Sequence, residues 1–219
     1  GSAVFIAAAL EANGRGHLTT VDSTRWNFRD PRPQEVLEGA GLSHRVTFDK
    51  QSSSYSWFVK TELEKATDET GTIHPKYDFI FLDGAKNWGT DGITVVVAEK
   101  LLKPGGWLLL DDLGWTYANH KNKQVHYEIN IEKLSESERE EPHLQAIFDL
   151  LIRTNPAFDH FLVQDDWWGW ARKSGGANPV NQAGAGRRAQ VKAEPTRSPK
   201  TFSGALRRSR RLAGRALGH

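Results

Sequence analysis

The chain has 219 residues, of which 38% are hydrophobic and 26% charged. This is the composition of an ordinary soluble protein with enough apolar residues for one sizeable core, and no apolar run approaches the roughly 20 residues that a membrane span needs. Cysteine is absent, which excludes disulfides, thiolate metal sites and a cysteine nucleophile.

The formal net charge of +2 hides a division. Residues 1–170 carry 17 Lys and Arg against 26 Asp and Glu, a balance of −9, while residues 171–219 carry 12 against 1, a balance of +11. An acidic body and a basic tail therefore need separate readings. Methionine is absent too. A natural reading frame begins with one, so the chain is expected to have lost its start. No signal peptide is visible, and a cytoplasmic location is expected.

In chain order, residues 2–13 (SAVFIAAALEAN) are Ala-rich and helical in character, with Gly14 and Gly16 as stop signals. Residues 17–22 (HLTTVD) read as a strand ending in Asp22. Residues 34–40 read as a short helix closed by Gly41, and residues 45–49 (RVTFD) as a second strand ending in Asp49. Residues 55–69 carry apolar positions at Trp57, Phe58, Leu63 and Ala66, the pattern of an amphipathic helix. Residues 77–83 (YDFIFLD) form a nearly continuous apolar run, which suits a strand buried on both faces. A helix over 91–102 is expected to stop at Pro104-Gly105-Gly106, and a second buried strand follows over 107–112 (WLLLDD).

A polar stretch covers 116–134. Residues 143–154 read as a helix with Leu144, Ile147, Phe148, Leu151 and Ile152 on its apolar face. Two β-rich runs around Asp165-Asp166 predict an antiparallel hairpin. Its Trp167, Trp168 and Trp170 are expected to be core and sheet-face residues. From about Ser174 the chain is rich in Gly, Ala, Pro, Ser, Arg and Lys, a composition that predicts disorder.

Alternating helices and strands with short connections predict an α/β fold with a mostly parallel sheet. In such sheets ligands bind at the carboxyl ends of strands. Asp22, Asp49, Asp83, Asp111 and Asp112 all stand at predicted strand ends, the pattern of a polar site on one sheet edge. The histidines, including His120 and His126 in the polar stretch, lack metal-binding spacing and read as surface residues.

Three segments, GSAVFIAAALEANGRGHLTTVD, YDFIFLDGAKNW and LLKPGGWLLLDDLGW, resemble the class I S-adenosylmethionine-dependent methyltransferases. Within that class they resemble the metal-dependent O-methyltransferases of the catechol and caffeoyl-CoA type. The resemblance covers roughly residues 1–173 and implies a Rossmann-like fold with a C-terminal antiparallel hairpin. It also implies that a first strand and an acidic-glycine segment are missing ahead of Gly1, so that an incomplete catalytic domain (1–173) precedes a basic disordered tail (174–219).

The first segment is similar to the end of the family's cofactor loop, the helix after it and the next strand. By that resemblance Gly1 and Ser2 line the cofactor and Asp22 holds its ribose. The FDKQSSSYSWF segment sits where the family contacts adenine, which makes Gln51 and Ser52 candidates there; a capping role for the next helix fits them equally well. Asp83, on the cofactor side as well, resembles the family's strand-end metal ligand, and Lys86 three residues later its base. Asp111 and Asp112 match the other ligand positions, with Asp112 where Asn is commoner. Three carboxylates and waters suit Mg²⁺.

The resemblance thus implies methyl transfer from S-adenosylmethionine to a hydroxyl of a small molecule or sugar. Two alternatives stay open: a metal-independent methyltransferase acting on another atom, and a non-catalytic module whose basic tail binds an anionic partner. LRRSRRLAGRAL (206–217) could form a basic amphipathic helix for such a partner.

Overall fold

The computed structural model describes residues 1–23, 31–51, 54–119, 125–126 and 129–175. The chain divides into two units, Gly1–Asn181 and Gln182–His219. The expected disorder of the basic tail and the 206–217 helix fall outside the described residues, as do Ser52 and His120.

Helix α1 (Ser2–Ala12) leads into β1 (Leu18–Ser23). Helix α2 (Pro33–Gly39) begins on a proline, which is pre-set for a first helical position. Strand β2 (Val46–Gln51) pairs in parallel with β1, and Val46, Leu37, Leu42 and Ala7 form a small core between these elements. Helix α3 (Tyr55–Ala66) starts at Ser54, whose hydroxyl accepts the Ser56 N–H. Strand β3 (Tyr77–Leu82) and helix α4 (Trp88–Leu101) follow, and β4 (Leu102–Leu110) pairs in parallel with β3.

The described part of the polar stretch holds the short antiparallel pair β5 (Val125–His126) and β6 (Ile129–Asn130), and it buries Tyr117 and Ile131. Helix α5 (Glu136–Glu140) carries a capping box from Ser135. Helix α6 (His143–Ile147) continues as a π-helical turn over Phe148–Ile152, within the single α-helix that periodicity alone predicts. Strands β7 (Phe158–Gln164) and β8 (Trp168–Lys173) form the expected hairpin. Its turn residues Asp165 and Asp166 both have positive φ, as a type I′ turn requires.

The strands form a mixed four-stranded sheet in the order β3-β4-β8-β7 and a separate β1-β2 pair. Among the described residues no hydrogen-bonded pair links the two groups, and β1 and β3 each pair on one side only. One face of the larger sheet is closed by α4, α6 and the π turn, through Leu82, Leu108, Leu110, Val95, Ile147 and Phe148. The opposite face carries an aromatic row. Phe79 stacks on Trp170 at 6.2 Å between centroids, and Trp107 meets Trp170 edge-on at 6.3 Å. The expectation for Trp170 as a sheet-face residue is met. β3 is not buried on both faces, because Phe79 on that row is 40% exposed.

Pro104-Gly105-Gly106 does not stop the helix. α4 ends at Leu101 and the chain enters β4 at once, so these residues form a bulge inside the strand. The register with β3 jumps from Tyr77↔Leu102 to Phe79↔Trp107 across it. Gly106 is needed there, since a Cβ would lie 2.9 Å from the Asp78 carbonyl. The strand ends at Leu110 rather than residue 112, which leaves Asp111 and Asp112 just beyond it.

At the other end of β3, Glu62 ties α3 to the sheet. It is 5% exposed and accepts from Lys65 at 2.9 Å, from the Tyr77 hydroxyl at 2.9 Å and from Lys76. Burial raises its pKa, but the Lys76, Lys65 and Tyr77 donors outweigh burial and take it from 4.5 to about 2. The folded value lies below the unfolded one, so this stabilisation is full above pH 4.5 and is lost as pH falls toward 2. Glu62→Gln is expected to cost about 2 kcal/mol at pH 7 and to flatten the stability profile between pH 4.5 and 2, as read by urea unfolding across pH.

Candidate active site

Parallel strands β3 and β4 end side by side, with the Asp111 N–H donating to the Leu82 carbonyl at 3.0 Å. That pairing places the residues after the two strands together. One carboxylate oxygen from each of Asp83, Asp111 and Asp112 lies within 4.8 Å of the others. The Lys86 ammonium sits among them, 2.7 Å from Asp112 Oδ2 and 3.1 Å from Asp83 Oδ1. It also donates to the Gly84 carbonyl at 3.3 Å. The fold brings these four sequence candidates together.

Both Lys86 and Asp112 hold left-handed backbone conformations, with φ of 60° and 62°. Such conformations cost a non-glycine residue on the order of 1–2 kcal/mol and persist only where the surroundings impose them.

The charges follow from this crowding. Burial raises the Asp111 pKa, and the neighbouring charges of Asp112 and Asp83 raise it further; hydrogen bonds from the Trp168 indole and the Asp112 N–H pull it back. For Lys86, burial disfavours the ammonium, but Asp112 and Asp83 outweigh it and hold the group above its ordinary value. Lys86 is therefore an ion-paired ammonium in this arrangement.

Trp168 is at this site, which sequence reasoning missed in reading it as a core or sheet-face residue. Its indole N–H donates to Asp111 Oδ1 at 2.7 Å from the first residue of β8. β8 runs antiparallel to β4, so its start lies beside the end of β4. Nothing in the local sequence signals a contact between residues 57 positions apart. Trp167 is exposed, and its carbonyl accepts the Leu113 N–H.

A second unforeseen pair lies beneath the Asp83–Asn87 loop. The Tyr55 hydroxyl donates to Asp91 Oδ1 and accepts from the Ala85 N–H at 2.8 Å. Asp91 Oδ2 accepts the Asn87 N–H at 2.7 Å. Burial raises the Asp91 pKa against the pull of these donors. An acidic residue in the first turn of α4 is a common helix-start signal, but nothing in the sequence marks it as buried.

A chain of contacts joins the two loops of the site. The Trp88 backbone N–H donates to His143 Nδ1 at 3.1 Å, the His143 ring meets Tyr117 edge-on, and Tyr117 meets Trp115 the same way at 4.9 Å.

The remaining sequence candidates lie on the other strand group. Gly1 is the N-cap residue of α1 and Ser2 its first residue; the first turn has no acidic residue and no side-chain cap. Asp22 lies near the end of β1, in register with Lys50. Gln51 ends β2 and donates to Asp49. By strand alternation Asp49 and Gln51 share one face and Lys50 takes the other, which puts Gln51 and Asp22 on opposite faces of the pair.

The donor set fits a hard divalent cation: three carboxylates, with Asp111 Oδ1 already used by Trp168 and the Asp112 N–H. The strand-end acid Asp22 fits a ribose, whose two hydroxyls can donate to one carboxylate.

A family model described as a methyltransferase domain matches residues 1–113. No curated protein matches the sequence. Among solved structures, the chain is similar to an O-methyltransferase from Bacillus cereus in complex with SAH, with 18% identity, coverage of 79% of this chain and 69% of that one, and a TM-score of 0.46. It is also similar to the O-methyltransferase TomG of Streptomyces achromogenes, involved in tomaymycin synthesis and solved with SAM, with 18% identity, 80% and 68% coverage and a TM-score of 0.48. A third is an O-methyltransferase family protein from Burkholderia thailandensis, with 15% identity, 79% and 48% coverage and a TM-score of 0.49.

Opposite changes are expected around Asp111. Asp112→Asn should lower its pKa by removing the adjacent charge. Trp168→Phe should raise it by removing the indole donor. Carboxyl ¹³C NMR titration reads both, and shifts in the reverse directions would contradict the described contacts.

Proposed function

The chain belongs to the methyltransferase-domain family, and on that basis we propose that it is an S-adenosylmethionine-dependent O-methyltransferase acting on a hydroxyl of a small molecule or sugar with a divalent metal. The observation that carries the metal part is the gathering of Asp83, Asp111 and Asp112 around Lys86 at the ends of β3 and β4. S-adenosylmethionine would supply a methyl group activated on a sulfonium sulfur.

In this reading Asp22 accepts the ribose hydroxyls, the Gly1–Ser2 start of α1 lines the cofactor, and Gln51 and Ser52 serve the adenine side. Asp83, Asp111 and Asp112 hold the cation, Mg²⁺ by preference. A bound cation would lower the pKa of an acceptor hydroxyl and orient it toward the methyl group. With their charge taken up in this way, Asp83 and Asp112 would stabilise the Lys86 ammonium less, so that Lys86 Nζ would release its proton to solvent and, as a neutral amine, accept the one leaving the acceptor hydroxyl.

A second reading, a metal-independent methyltransferase, has one observation in its favour. Lys86 by itself pairs with two of the three carboxylates, so the cluster is part-neutralised without a cation.

Calorimetry with S-adenosylhomocysteine is expected to show binding by the wild-type protein, and its absence would overturn the methyltransferase proposal. Turnover should fall at least 10-fold in EDTA and recover with Mg²⁺, while full activity in EDTA would favour the second reading. Lys86→Ala should lower kcat by about 10²–10⁴-fold, the usual scale of a general base, with cofactor affinity unchanged.

A further inference from the structure

We infer that Tyr55 and Asp91 are positioning residues that hold the Lys86 backbone in its left-handed conformation and so aim its ammonium at the carboxylates. The inference rests on the proposed role of Lys86 and extends it to two residues on the helices beneath its loop.

The two backbone N–H groups that flank Lys86 are both tied to this pair. The Ala85 N–H donates to the Tyr55 hydroxyl at 2.8 Å, and the Asn87 N–H donates to Asp91 Oδ2 at 2.7 Å. The Tyr55 hydroxyl in turn donates to Asp91 Oδ1, so one carboxylate governs both tethers. Asp91 is 0% exposed, so its oxygens are shielded from bulk solvent. Its cost of burial is met only while these donors stay in place.

The contact is also steric. A Cβ on Gly84 would lie 2.2 Å from the Tyr55 hydroxyl and 2.8 Å from Asp91 Oδ1, so the loop backbone rests directly on the pair. Between the two tethers Lys86 has no freedom to leave φ near 60°. A residue with that backbone cost relaxes to negative φ once its neighbours are released. The relaxation re-aims the side chain, and Nζ leaves its positions 2.7 Å from Asp112 and 3.1 Å from Asp83.

Tyr55 begins α3 and Asp91 lies in the first turn of α4, and these helices pack on each other. The tethers are thus fixed to rigid elements rather than to other loops, which is what a precisely held side chain needs.

The test is the acetylation rate of individual lysines, read by mass spectrometry on the full chain. In the wild type Lys86, with a side chain only 15% exposed, is expected to react about tenfold more slowly than Lys103, at 43%. Tyr55→Phe should speed Lys86 about tenfold and leave Lys103 unchanged. Lys173, also 15% exposed, is the control for unfolding and should stay slow. Asp91→Asn, which keeps the side-chain volume, should release Lys86 in the same way and serves if Tyr55→Phe does not fold. Unchanged Lys86 labelling in a folded variant overturns the inference and leaves the methyltransferase proposal standing. Absence of S-adenosylhomocysteine binding by the wild type overturns that proposal instead, and labelling is measured without ligand.

Discussion

Three carboxylates held within 4.8 Å of one another repel strongly. At an effective dielectric constant near 20, each charged pair at that distance costs about 3 kcal/mol. The Lys86 ammonium between Asp83 and Asp112 offsets that repulsion, and the rest of the site is arranged around it. Asp111 takes an indole donor from Trp168 and still has a raised pKa. The backbone strain at Lys86 and Asp112 belongs to the same arrangement, since both residues turn their side chains inward from left-handed conformations.

This constraint depends on how the two strands pair. β3 and β4 deliver Asp83 and Asp111 because their parallel register sets Leu82 beside Leu110. The helices behind them close the apolar face through Leu108, Leu110, Ile147 and Phe148. Mispairing by one residue would turn those leucines away from the helices, so the core fixes the register and the register fixes the site. The bulge at Pro104–Gly106 takes up the extra residues of β4 before that critical pairing begins.

Much of this was legible in the sequence because it is local. The YDFIFLD and LLLDD runs place Asp83, Asp111 and Asp112 at two strand ends without knowledge of their packing, and the family resemblance adds Lys86. The β7–β8 hairpin was legible for the same reason, through its Asp-Asp turn. What escaped depends on distant residues. Trp168 reaches Asp111, and Tyr55 reaches Asp91, across 57 and 36 positions, and neither contact leaves a periodic trace. Pro-Gly-Gly was misread because its turn chemistry serves a helix end and a strand bulge equally, and only the pairing with β3 decides between them. The placement of Asp22 and Gln51 on opposite faces of β1-β2 follows from strand alternation once the register is known, and the sequence does not set that register.

The most direct measurement is a Mn²⁺ titration followed by electron paramagnetic resonance, with Mn²⁺ standing in for Mg²⁺. A carboxylate site of this kind predicts one saturable Mn²⁺ per chain, displaced by Mg²⁺ and lost in Asp83→Asn. Mn²⁺ that fails to saturate at one per chain, or that binds Asp83→Asn as well as the wild type, would contradict it.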